Sequence, residues 1–370
     1  MMTAKLKNNL FDTGVEVISP LVEALNLELP ANATSADFSA DGTICAVAMG
    51  DGAVALLEVT GFDEVAQPMK LAPADIEVRS TKLHNVATVG VRSIANEFVS
   101  IGQDGRAVIF PADAPKNATS LYRFENAWIE DIAVSESSGL IALASGHRCV
   151  VVDQGGTPLA DVDVGSTISA VQFDSTGKRI AASRYNGVTV VSSDTASSEL
   201  QLNWKGSHTG VTWSRNDRYI VTATQERELH VWDLVTMQDF RIGGYPRKCN
   251  QMAWTADGDV LACSGADVVT AWSFVGSGPA GRPPVEIGFV FGGIVCAVCT
   301  HPTKPLVAGG FTTGNVLIGA PGKGEAVVAK ASDGDPVTCL AWSPSGRVLA
   351  AGTRGGKLSL FRLADELNVR

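Results

Sequence analysis

Apolar and polar residues alternate along most of this chain in short runs of five or six, separated by small turns. A period of two places successive side chains on opposite faces of a strand, so each run predicts a short β-strand. The clearest unit opens with Val337-Thr338-Cys339-Leu340-Ala341-Trp342 and turns through Ser343-Pro344-Ser345-Gly346-Arg347. It continues with Val348-Leu349-Ala350-Ala351-Gly352 and ends with Lys357-Leu358-Ser359-Leu360-Phe361. Seven other stretches repeat this order of run, turn, run, turn and run. With Trp342 as the anchor, their anchors are Phe38, Val91, Val134, Phe173, Trp213, Trp254 and Cys299. Helical signals are weak, confined to short segments near 21–27 and 363–367.

The anchors recur about every 42 residues, and a repeat of that length built from short strands predicts a β-propeller, one four-stranded sheet to each repeat. The fold class is therefore all-β, a single propeller domain over residues 1–370. Eight anchors predict eight blades, with inner strands over about 33–59, 86–110, 129–153, 168–193, 208–234, 249–274, 295–320 and 337–363. Seven is the alternative, because repeat two is the poorest match and follows the longest gap. Residues 199–204 and 325–331 read as outer strands. Repeat eight has no fourth strand of its own after Phe361. The alternating segment Gly14-Val15-Glu16-Val17-Ile18-Ser19, within 12–19, is expected to supply it, joining the chain ends so that no sheet edge stays open.

Repeat five carries a family resemblance. His208-Thr209-Gly210-Val211-Thr212-Trp213-Ser214 leads to Tyr219-Ile220-Val221-Thr222-Ala223-Thr224 and ends in Leu229-His230-Val231-Trp232-Asp233-Leu234. Trp232-Asp233 matches the dipeptide that names the WD-repeat family, and Gly206-Ser207-His208 is similar to the family's Gly-His opening. The resemblance covers about residues 33–363. It implies a buried Asp–His–Ser/Thr–Trp network tying the strands of a blade. Only repeat five approaches it, with His208, Thr222 and Trp232, and Glu226 stands where the turn Asp belongs. The low charged fraction and degenerate repeats point to a bacterial-type member.

A net charge of -10 and a pI near 5.0 argue against a nucleic-acid binder, which needs a basic surface. The N-terminal residues lack the apolar core of a signal peptide, and no apolar run is long enough for a membrane span. The seven cysteines sit mostly within strand patterns and read as reduced core thiols of a cytoplasmic protein.

Candidate chemistry is sparse. Cys296-Ala297-Val298-Cys299-Thr300-His301 has the spacing of a zinc or redox site, but residues three apart on a strand point to opposite faces. Two small core residues are the favoured reading, with a metal at Cys299 and His301 the minority one. His147-Arg148-Cys149 offers too few ligands for a closed zinc site. Gly319-Ala320-Pro321-Gly322-Lys323-Gly324 lacks the phosphate-loop spacing. No Gly-x-Ser-x-Gly motif marks a nucleophile, and the five histidines are scattered. No cofactor and no catalytic residue is expected. An enzyme at the channel mouth is the weakest alternative.

The resemblance places binding on one end of the ring, built by loops entering each innermost strand and loops joining the second and third strands. Those loops hold Arg148, Arg184, Tyr185, Arg227, Tyr245, Arg247 and Lys248, with Trp128, Phe291 and Phe311 in or beside them. Asp51, Asp104, Asp333 and Asp335 occupy the opposite arc. Arginines and aromatics are common anchors of contact surfaces, and such a split of charge would orient a partner. The expected function is a non-enzymatic platform for a partner protein or peptide, with no nucleic acid and no membrane.

Overall fold

A computed structural model describes residues 22–60, 77–195, 197–276, 278–322 and 326–363. Thirty strands run through the described residues, all paired antiparallel with their neighbours, with a single short 3-10 turn at Pro115–Asn117. All eight sequence anchors lie on strands. Their innermost strands pack against one another in chain order and meet again where Val337–Trp342 touches Ala33–Phe38, closing a ring. The hydrophobic clusters lie between neighbouring sheets, as where Ile101 and Ile109 of repeat two pack with Ile132, Leu143 and Val150 of repeat three. Each sheet therefore buries both faces, which explains continuous apolar strands such as Ile44–Met49.

Hydrogen bonding sorts the strands into seven sheets, six of four strands and one of six. The eight blades expected from the anchors thus form seven hydrogen-bonded sheets, the number expected as the alternative, while eight innermost strands line the ring. Repeat two is not the cause, because it forms a regular four-stranded sheet from Thr88–Ile94 to Thr119–Arg123. Repeats four and five run together instead. Arg179–Ser192 pairs back to Ile168–Phe173 through residues 180–184, and onward to Ser198–Trp213 through residues 185–191. Between these halves Asn186 (φ +66°) and Gly187 (φ +133°) turn the chain sharply. Ser198–Trp213 bends at Gly206 (φ +129°) and continues into pairing with Tyr219–Thr224.

The last sheet is closed by an N-terminal strand, Val22–Glu28, paired residue by residue with Lys357–Leu363. The segment 12–19, given this role from the sequence, lies outside the described residues. The weak helical signal at 21–27 is corrected, because those residues from Val22 onward are this strand. The helix signal after Leu363 falls outside the described residues.

Neighbouring innermost strands are tied by side chains. The Ser93 amide donates to Asp37 Oδ2 at 2.9 Å, the Val171 amide to Asp131 Oδ2 at 2.9 Å, and the Val298 amide to Gln251 Oε1 at 2.9 Å. Thr338 Oγ1 donates to the Ala33 carbonyl at 2.7 Å across the join of the ring.

Candidate functional site at one end of the ring

The ring centre holds a cavity of about 520 Å³ lined by innermost strands of every repeat. Its charged residues are Arg92, Asp37, Glu130 and Asp131. Burial pushes the Asp37 and Asp131 carboxyls above the usual range, against the pull of Arg92. Both carboxylates are engaged by the backbone ties just described, so here they serve the ring.

At the end of the ring singled out above, the structure divides the expected residues. Trp128 (63% exposed) and Phe291 (71%) stand out from their loops, and Tyr185 (57%) from the bend of Arg179–Ser192. Arg227, Arg247 and Lys248 are exposed. Arg148 is half-buried and donates to Asp161, which raises its pKa further.

Three residues leave the exposed set. Arg184 is only 9% exposed. Its guanidinium donates to Thr189 Oγ1 at 2.8 Å, the Tyr185 carbonyl at 3.0 Å, Gln201 Oε1 at 2.5 Å and Asn203 Oδ1 at 3.1 Å. Tyr245 is buried, with its hydroxyl 2.8 Å from Thr270 Oγ1 and accepting from Trp272 Nε1 at 2.7 Å. Phe311 is fully buried at the end of Val307–Phe311. Loop position was readable from the sequence, but side-chain direction was not.

The acidic arc is largely engaged. Asp333 pairs with Lys330 (2.9 Å) and Lys357 (3.2 Å). Asp335 accepts from Thr353 Oγ1 at 2.6 Å and the Gly355 amide at 2.8 Å. Asp51 accepts from the Ala53 amide at 3.0 Å. Asp104 sits 3.0 Å from His84 Nδ1, and His84 Nε2 lies 2.9 Å from Ser100 Oγ. This is the His–Ser–Asp part of the network expected only in repeat five. Its signal, His84 ahead of the first strand with Ser100 and Asp104 at the second, was present in the sequence. His84 and Ser100 are buried and Asp104 is half-buried, so the trio ties the entry loop of the first strand to the second strand. Burial works against the Asp104 carboxylate, yet the Asn85 amide and His84 hold its pKa below the ordinary value.

In repeat five, His208 Nδ1 reaches Thr222 Oγ1 at 2.7 Å, while Nε2 turns to the Trp204 carbonyl at 3.0 Å instead of Glu226. Cys299 is half-buried, and burial raises its thiol pKa. His301 is buried, and its Nδ1 accepts from the amides of Thr303 (3.2 Å) and Lys304 (3.1 Å), which makes the ring a turn cap. All seven cysteines are free thiols.

The sequence missed Trp204, which it placed at the end of an outer strand, and Lys205 next to it. With Tyr185, Asn186 and Asn203 they line an open cavity of about 450 Å³. The Trp204 indole stacks on His230, with centroids 4.0 Å apart and planes at 20°. His230 is buried and its ring nitrogens make no hydrogen bond. The Asp239 carboxylate lies 3.2 Å from Nε2 but out of line for one. Burial pushes the His230 pKa down to about 4, against the raising effect of Asp239. The fold thus favours the neutral ring. That contribution is complete above the unfolded value of about 6.5 and is lost as pH falls toward 4, on the order of 3 kcal/mol in all. Urea unfolding across this range is expected to show a flatter pH profile for His230→Phe, which keeps the stack but cannot titrate. Parallel profiles would refute the assignment.

Residues 328–362, the last repeat, match the family described as WD domain, G-beta repeat. The fold is similar to that of the computationally designed Ika8 protein, with TM-score 0.73 and 17% identity over 92% of this chain and 99% of that one. It is also similar to the C-terminal WD40 domain of Sif2, with TM-score 0.70 and 13% identity over 93% and 98%. The fold is a β-propeller, and its last repeat matches the WD-repeat family. Within this ring, Phe110 pairs with Phe98 where Trp232 pairs with Ile220. The buried network of repeat two accordingly lacks the tryptophan of the family pattern. No helix among the described residues is long and apolar enough to cross a membrane.

Proposed function

We propose that this propeller is a non-enzymatic interaction platform, and that the end of the ring bearing Trp128, Tyr185 and Phe291 receives a partner protein or peptide. The observation that carries this reading is the exposure of three large aromatic side chains at one end of the ring. Large rings left in water at loop tips are disfavoured unless a partner covers them, and aromatics are frequent anchors of contact surfaces. A rigid ring presents them in fixed geometry, so association costs little loop ordering. Arg148, Arg227, Arg247 and Lys248 lie on the same end and would steer an acidic partner. We place the protein in the cytoplasm, consistent with its seven free thiols.

The test is quantitative affinity capture from the source organism with the wild type and a Trp128→Ala, Tyr185→Ala, Phe291→Ala variant. These side chains are exposed, so the variant is expected to melt within a few degrees of wild type. A stoichiometric partner lost only from the variant is the expected result. Unchanged capture would overturn the reading.

A further inference from the structure

We propose that the arc over repeats four to six of this end holds an acidic peptide segment of the partner, with an apolar side chain of that segment seated in the cavity beside Tyr185. The inference rests on the platform reading and names the chemistry of its occupant.

The arc is continuous through contacts between its loops. The Gly206 amide donates to Asn186 Oδ1 at 3.2 Å, the Ser207 amide to Glu226 Oε1 at 3.5 Å, and Arg227 Nη1 to the Pro246 carbonyl at 3.3 Å. Along it lie four exposed cations, Lys205, Arg227, Arg247 and Lys248. Among the described residues none of the four forms an ion pair, unlike Arg148, Lys330 and Lys357 on the same end. Two acidic residues interrupt the arc. Glu228 faces Arg241 at 3.4 Å, and Glu226 turns toward the Ser207 amide. A local excess of unpaired positive charge on a chain of net charge -10 is a departure that an acidic ligand would complement.

The cavity supplies the second element. Its volume of about 450 Å³ accommodates a large side chain, and Tyr185 and Trp204 give it aromatic walls. Trp204 is braced from behind by its stack on His230, so this wall is set before binding. Charge beside a braced aromatic pocket favours a segment that combines carboxylates with an aromatic or aliphatic residue over a uniformly charged one.

The probe is a fluorescein-labelled random copolymer of glutamate and tyrosine, with polyglutamate and a lysine–tyrosine copolymer as controls, read by fluorescence anisotropy at low and at physiological salt. The glutamate–tyrosine copolymer is expected to bind and to weaken as salt rises, because exposed charges are screened beyond about 8 Å at physiological ionic strength. An Arg247→Glu, Lys248→Glu variant should lose about tenfold or more in affinity. Tyr185→Ala should bring the copolymer down toward polyglutamate. Equal binding of the lysine–tyrosine copolymer, or affinity unmoved by the charge reversal in a variant of unchanged melting temperature, would overturn the inference. No copolymer binding, while the triple aromatic variant still loses its captured partner, would overturn the acidic occupant and leave the platform standing. Unchanged partner capture would overturn the platform itself.

Discussion

A chain lacking residues 1–29 is expected to lose cooperative folding, whereas a chain lacking only 1–19 should melt within a few degrees of the full protein. The first truncation removes Val22–Glu28, the strand that completes the last sheet against Lys357–Leu363. Leu25, Leu27 and Leu29 are buried there, packed with Leu358 and Leu360 and with the first sheet. Each buried leucine contributes roughly 1.5–3 kcal/mol, so the three together approach the whole stability of an ordinary domain, about 5–15 kcal/mol. Their loss also frees the edge of Lys357–Leu363 at the join of the ring, where it can pair with a second chain. The measurement is a thermal melt by circular dichroism with size-exclusion chromatography. A synthetic peptide of residues 20–30 should restore part of the transition by adding the missing strand. Survival of the first truncation as a cooperatively melting monomer would show that the ring does not depend on this strand. Collapse of the second would return the closing role to 12–19.

The same strand shows what the sequence could convey. An N-terminal closing strand was expected from the sequence, and Val22–Glu28 fills that role. Its location was harder, because two segments alternate. Leu25, Leu27 and Leu29 are buried while Asn26 and Glu28 are exposed, a period of two that lay in the sequence beneath a weak helical signal. Repeat periodicity was legible because every sheet buries both faces and so imposes the same apolar runs each time. The sharing of Ser198–Trp213 between two repeats was not legible, because it depends on the bend at Gly206 and a pairing register that local composition does not specify. Of the candidate site, loop membership came through and burial did not. Tyr185 and Tyr245 look alike in sequence context, yet one projects outward and the other closes a buried network with Thr270 and Trp272.

Arg184→Glu is expected to destabilise the protein by about 3–5 kcal/mol, the range found when a buried charge loses its partners. The position looks like a surface arginine, since it ends the second strand of repeat four beside exposed Tyr185. Its guanidinium instead points into the sheet, where it donates to the hydroxyl oxygen of Thr189, the Tyr185 carbonyl and the amide oxygens of Gln201 and Asn203. A carboxylate there would leave those four oxygens without the guanidinium's donors and would bury a charge of the wrong sign among them. Arg184→Lys should recover only part of the loss, because an ammonium cannot reproduce a planar fork of donors. Arg227→Glu, by contrast, sits on an exposed loop and should shift stability by less than about 0.5 kcal/mol. Urea midpoints of the three variants separate these outcomes, and an Arg184→Glu midpoint equal to wild type would contradict the buried placement. The contrast bears directly on how the face is tested. Partner loss in any variant carrying Arg184→Glu would report unfolding as readily as a lost contact. Charge reversal at Arg227, Arg247 and Lys248, whose side chains stand in water, changes the field at the surface while leaving the sheet beneath it intact.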